Sequence, residues 1–359
     1  MKTNAVIRKL VRSIRGKLAL GCIGLTLFLS LFGYWIAPDP TPNANRMILE
    51  ISGMKPGFSI DFLLIPKPEM PATSALTRTI GGFPDAFTFI PITNYVSQKD
   101  SIVVSKYVDD GVTERLAFSW QKLGIRPEQS KERLTRRTFW LGTDKFGRDI
   151  LSRLIIGTRV SLSVGSIALV VSLTIGILLG LLAGYYRGRT DDLIMWFINV
   201  VWSIPTLLLV FAITMALGKG FWQVFVAVGL TLWVSVARLI RGQVMSIREK
   251  EYIEAAQVLG FSDMRILFYH ILPNVMGPVL VLGASNFASA IVIEAGLSFL
   301  GVGVQAPQPS WGLMIRENYN FIITSNPALA LVPGIAIMTL VLSFNLLGNL
   351  LRDALDVKA

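Results

Sequence analysis

Between two long apolar runs lies a polar, charged stretch, residues 249–274, reading EKEYIEAAQVLGFSDMRILFYHILPN. Its residue types suit docking against another surface rather than bond breaking. Glu251 and Glu254 are three residues apart, so on a helix they share a face. Ala255 and Ala256 favour helix and leave room for a second surface to approach closely. Gly260 can adopt a positive φ and end that helix, and Ser262-Asp263 offers the cap of a second one. Leu272-Pro273 marks the return to apolar sequence, because proline is tolerated in a first helical turn. An ordinary amphipathic helix lying on a membrane surface would show the same composition.

Groups able to make or break bonds are scarce. The chain has no G-x-x-x-x-G-K followed by Ser or Thr, so a phosphate-binding loop of that kind is excluded. His270 is the sole histidine and falls in the same polar stretch; with no co-ligands and no nucleophile motif beside it, it reads as a packing or interface residue. Cys22 is the sole cysteine and lies in an apolar run, which excludes an internal disulfide and a cysteine-based metal site. Gly301-x-Gly303 has two glycines and is no dinucleotide signature. No catalytic residue, resident metal or cofactor is expected in this chain.

The elements that position the polar stretch are membrane helices. Of 359 residues, 52% are apolar and 16% charged, and the mean hydropathy is +0.57, whereas a soluble chain is normally near a quarter charged. The net charge of +11 comes from basic residues beside the apolar runs, at Arg8, Lys9, Arg12, Arg15 and Lys17 and at Arg238, Arg241, Arg248 and Lys250. That placement fits membrane orientation and argues against nucleic-acid binding. Residues 18–37 read as an uncleaved anchor, too long for a signal peptide and with Trp35 where a small residue would precede a cut. Further spans are expected at 160–185, 193–217, 221–240 and 329–351. A weaker one at 275–297 carries the Gly, Ser and Asn that suit close helix packing. Residues 139–159 read as a short amphipathic lead-in, and the count is about six spans.

Residues 38–138 are too polar to span and too long for a bare loop. Partial alternation at 101–108 and 112–120 around Asp110-Gly111 predicts a hairpin, hence a small module with some β structure; a partly ordered loop is the alternative. With the basic residues 1–17 inside, 38–159 falls outside the cell interior, the 241–274 loop inside and the C-terminus inside, and each short inner loop carries Arg or Lys.

Glu254-Ala255-Ala256, Gly260 and Leu272-Pro273 together resemble the coupling loop of bacterial ABC importer permeases. Leu141-Gly142-Thr143-Asp144, Gly147-Arg148-Asp149, Leu151-Ser152-Arg153, Ile204-Pro205, Leu297-Ser298-Phe299-Leu300-Gly301, Pro309-Ser310-Trp311-Gly312 and Leu351-Arg352-Asp353-Ala354-Leu355-Asp356 are similar to the dipeptide, oligopeptide and nickel branch, in its second permease subunit type. His270 stands where that loop usually has an aliphatic residue, and 38–138 falls outside the resemblance.

The resemblance implies a mainly α-helical polytopic protein with the type I importer permease core at 139–359, in the bacterial inner membrane. It implies a homologous second permease, two ATP-binding subunits that carry ATP and Mg, an extracytoplasmic substrate-binding protein and a di- or oligopeptide cargo. Glu251, Glu254, Ala255, Ala256, Gly260, Leu272 and Pro273 would then couple to the ATPases. Pro205 lies mid-span, either as a gating kink or as a packing kink, and Glu294 either lines the pathway or pins the outer hairpin. Asp144, Arg148, Asp149 and Arg153 form either a seating or partner-contacting ion cluster or a solvated polar face. Two other readings compete: an ion-coupled secondary transporter, which needs midplane charge, and a multi-span receptor that uses 38–138.

Overall fold

The computed structural model describes residues 9–68, 74–218, 220–324 and 326–355. The expected basic stretch up to Arg8, Lys219 in a short turn, and Asp356 lie outside the described residues. The chain divides into two compact units, one of residues 28–160 and 306–335, the other of 1–27, 161–305 and 336–359.

The first unit is built on a five-stranded antiparallel sheet. Its strands are β1 (Phe58–Pro66), β2 (Phe87–Ser97), β3 (Ser101–Asp109), β4 (Val112–Ser119) and β5 (Leu134–Phe139), in the order β4-β3-β2-β1-β5. The hairpin expected around Asp110-Gly111 is present: Asp109 pairs with Val112, and Gly111 takes φ 78°. The alternation in the sequence was imperfect because β4 is an edge strand with no buried residue, while β3 contributes to the packing on both faces of the sheet. Ile60, Phe62, Tyr107 and Phe139 pack with Ile48 and Ile51, while Leu63, Ile92, Ile102 and Val104 pack with Trp120 and Leu123. A strand that packs on both sides, such as β3, or has no buried residue, such as β4, shows no clean period of two.

The lead-in expected at 139–159 is not one amphipathic element. Strand β5 ends at Phe139, a tight turn follows, and a helix begins at Ile150. Two glycines make the turn possible. Gly147 has φ 70°, and a Cβ there would fall on the Ile48 carbonyl; Gly142 has φ 80° and would strike the Met54 carbonyl. No side chain fits at either position.

The second unit is helical. Among the described residues of the chain, five helices are long and apolar enough to cross a membrane: α1 (Ile14–Ile36), α2 (Ile150–Tyr186), α5 (Phe221–Arg248), α7 (Asp263–Leu300) and α9 (Ala328–Leu355); parts of α1, α2 and α9 belong to the first unit. The span expected at 193–217 is instead a bent pair, α3 (Gly188–Trp202) and α4 (Thr206–Leu217), meeting at 92°. Pro205 does more here than kink a continuous helix. It has no N–H and disfavours helical geometry at Ile204, and Pro205 itself is extended, with φ −53° and ψ 128°. Counting the bent pair as one span gives six.

Close packing of α2 on α5 rests on Gly176, Gly180 and Gly184, four residues apart on one face. A Cβ on each would meet Val236, Ile240 or Val244, or the backbone carbonyls beside them, at under 3.0 Å. This is the small-residue seam that draws membrane helices together. Phe287 on α7 stacks on Phe344 on α9 at 3.9 Å between centroids.

Candidate functional site

The polar stretch folds as an elbow. Helix α6 (Glu251–Val258) follows α5 directly, with Lys250 extended at its N-cap. Its sequence places apolar groups three apart, and Ile253 and Ala256 are buried in a cluster with Tyr185, Val244, Ile247, Ile266, Leu267 and Ile271. Glu251, Tyr252, Glu254, Ala255, Gln257 and Val258 remain exposed. The expectation that both alanines offer room to another surface therefore holds for Ala255 alone. Ala256 is 4% exposed and belongs to the seat of the helix.

Gly260, with φ 75°, ends α6. Its N–H donates to the Gln257 carbonyl at 2.9 Å and that of Phe261 to the Ala256 carbonyl at 3.1 Å, the paired bonds of a glycine-terminated helix. Ser262 occupies the next N-cap position, but its hydroxyl makes no capping bond, contrary to expectation. The neighbouring Asp263 carboxylate accepts a 2.7 Å bond from the Tyr185 hydroxyl instead, tying the elbow to α2.

Leu272-Pro273 opens the regular α-helical stretch of α7, with the proline in its first turn as expected. Helix α7 already begins at Asp263 and widens into a π turn at Ile266–Ile271. The wide turn takes up the backbone bond and the ring clash that Pro273 would otherwise impose on a regular helix. His270 sits in this turn, its ring stacked on Phe261 at 5.9 Å and its carbonyl accepting from Asn274 at 2.7 Å. Leu272 is half-buried and Pro273 exposed.

Two ion pairs brace the same end of the unit: Arg187 with Glu249 at 2.7 Å, and Arg241 with Asp191 through two bonds. Around the exposed carboxylates lies an apolar fringe that sequence reasoning missed. Val258 is 88% and Leu259 72% exposed, with Met264, Phe268 and Tyr269 also open. The signal was present as an apolar pair directly before the turn glycine. Together α6 and the start of α7 present acidic and apolar side chains on a rigidly seated protrusion.

The remaining expected residues lie elsewhere. Pro205 sits at the α3–α4 break. Glu294, far along α7 from the elbow, is buried and accepts a 2.6 Å bond from the Ser298 hydroxyl, which in turn accepts from the Val304 N–H.

Asp144, Arg148, Asp149 and Arg153 are all buried, so a solvated polar face is ruled out. Arg148 binds Asp144 at 2.6 Å and Glu317 at 2.7 Å, and Arg153 reaches Glu317 at 3.2 Å. Glu317, on α8 (Trp311–Asn318), was not foreseen. Asp149 stands apart from this network. Its Oδ2 accepts from the backbone and hydroxyl of Ser152. Burial raises its pKa, opposed by those bonds. Among the described residues no cluster of His, Cys, Asp and Glu is arranged to hold a metal.

The profile of the family described as "Binding-protein-dependent transport system inner membrane component" matches residues 176–358. The dipeptide transport system permease protein DppC of Alkalihalophilus pseudofirmus is 36% identical over 296 residues, covering 82% of this chain and 96% of the relative. The glutathione transport system permease protein GsiD of Pectobacterium atrosepticum is 43% identical over 219 residues, covering 61% and 72%. The oligopeptide transport system permease protein OppC of Bacillus subtilis is 41% identical over 219 residues, with the same coverage. A solved structure of the inward-facing MetNI methionine ABC transporter aligns with TM-score 0.48 at 17% identity, over 58% of this chain and 98% of that one.

Proposed function

The chain belongs to the family of binding-protein-dependent transport system inner membrane components and is a transmembrane permease subunit of an ABC importer; from that premise we propose that its cargo is a di- or oligopeptide and that the α6 elbow is its grip on an ATPase. The relatives named for dipeptide, oligopeptide and glutathione transport support the cargo reading. The chain forms the pathway with a homologous second permease. Two ATP-binding subunits hold ATP and Mg on the cytoplasmic side, and an extracytoplasmic protein delivers the substrate. The chain itself is not an enzyme. Both termini and the elbow face the cytoplasm, and the sheet unit faces outward, in line with the basic residues flanking the inner loops.

The observation that carries the coupling role is the two-sidedness of α6. Ile253 and Ala256 lock it into the cluster beneath, while Glu251, Glu254 and Ala255 stay open. A helix held this way moves with its own bundle, so force from a partner reaches α5 and α7 as rigid-body rotation. Glu251 and Glu254 pair with basic groups of the ATPase, and Gly260 with Leu272-Pro273 sets the elbow's direction. Pro205 and Glu294 are the candidate gating or pathway residues; the bond from Ser298 to Glu294 favours a role in holding the turn after α7.

Purification from detergent with the partner subunits tests this. Glu254→Lys reverses a charge on the open face, so the ATPases should be lost while the second permease is retained. A helix that lies only on lipid would leave co-purification unchanged, and that result would sink the coupling role.

A further inference from the structure

A cavity of about 230 Å³ lies within the sheet unit, with Ile48, Phe89 and Phe139 on its apolar side. Arg46, Arg136, Arg137, Asp39 and Asp149 supply its charge. Most of these groups are occupied or open to solvent. Arg46 pairs with Asp39 at 3.4 Å and with Asp85 at 2.7 Å, and Arg136 is exposed.

Arg137 and Asp149 are half-buried and buried, and each keeps polar atoms that no described residue occupies. Nη1 of Arg137 donates to the Pro38 carbonyl at 2.9 Å, leaving Nε and Nη2 with no acceptor among the described residues. The guanidinium lies over Phe89 at 4.6 Å from the ring centroid, which fixes its plane. Asp149 uses only Oδ2, for Ser152, leaving Oδ1 with no donor among the described residues. Among the described residues this cation and anion line one small space without a direct ion pair, although each feels the charge of the other. Each has been partly stripped of water and incompletely compensated.

We propose that this cavity binds a small zwitterion of the α-amino acid or dipeptide class, its carboxylate on Arg137 and its ammonium on Asp149. The planar guanidinium suits a carboxylate through two parallel bonds. An incoming ammonium compensates the buried Asp149 carboxylate. The size sits below the usual small-ligand range of roughly 300–1,000 Å³, which excludes longer peptides. The proposal does not depend on the cargo reading, because every residue in it belongs to the sheet unit.

The test is equilibrium binding of radiolabelled alanyl-alanine to the purified full chain. Alanine, N-acetylalanine and alaninamide serve as competitors, separating the two charges of the ligand. Saturable binding is expected, with either blocked competitor weaker than alanine by roughly tenfold or more. Arg137→Gln should abolish it, and Arg137→Lys, which keeps the charge but not the fork, should weaken it; circular dichroism checks that both variants fold. The proposal is overturned by the absence of saturable binding, by equal competition from the blocked compounds, or by unchanged binding in folded Arg137→Gln. Peptide uptake by cells carrying Arg137→Gln with the partner subunits should persist, so a failed cargo reading would show separately as no uptake by the unmodified protein.

Discussion

Gly260 does its work through one dihedral angle. At φ 75°, with nothing within 4 Å of where a Cβ would sit, a substitution meets backbone strain and no steric clash. Gly260→Val should therefore cost about 1–2 kcal/mol, read as a lower melting temperature, and should weaken ATPase co-purification by tilting the elbow. Gly260→Asn should lose less, since asparagine tolerates this conformation. The sequence marked this glycine and the two glutamates correctly as a turn and a shared exposed face. It could not distinguish Ala255 from Ala256, because identical side chains one residue apart differ only in which faces the cluster beneath.

Among elements, the seat of the turn after β5 depends on Glu317. Replacing it with alanine leaves Arg148 and Arg153 buried with one fewer counter-charge. Breaking a buried network in this way costs about 3–5 kcal/mol, so Glu317→Ala should unfold the sheet unit at lower denaturant, with Glu317→Gln less affected. Three members of the network, Asp144, Arg148 and Arg153, were legible as a cluster in sequence. Glu317 was not, because it comes from a helix 164 residues after Arg153.

The sheet also carries a pH signature. Burial, followed by its hydrogen bond to Asp110, pushes the Tyr107 pKa up to about 12, and the bond to Glu50 raises that of Lys106. Both folded-state values are raised, so their stabilisation is complete below the unfolded-state pKa values near 10 and is lost as pH rises through the folded ones. Unfolding followed by circular dichroism should steepen between about pH 10 and 12, and Tyr107→Phe should flatten that dependence.

For the whole molecule, the orientation makes a direct prediction. In a Cys22→Ser background, a cysteine replacing Ser262 and one replacing Thr113, both at exposed positions, should react with an impermeant thiol reagent from opposite sides of the membrane. Labelling of both from the same side would refute the orientation. The count of spans was readable because a membrane helix needs about 20 apolar residues and little else. The bend inside one of them was not readable from apolarity, because 193–217 averages apolar enough over its full length to read as a single span.

Local chemistry written in consecutive residues was enough to indicate the membrane helices, the Asp110-Gly111 hairpin and the glycine-ended helix α6. Each of these rests on short-range geometry or on transfer to an apolar phase, and neither needs knowledge of distant partners. Only the tertiary structure decided the 92° break at Pro205, the continuity of α7 through Pro273, the five-stranded sheet and the pairing with Glu317. Those outcomes depend on which residues meet across large separations in the chain. A proline can kink or break a helix, and a buried charge can pair or remain open, so the surrounding contacts select between states that local propensity leaves close in energy.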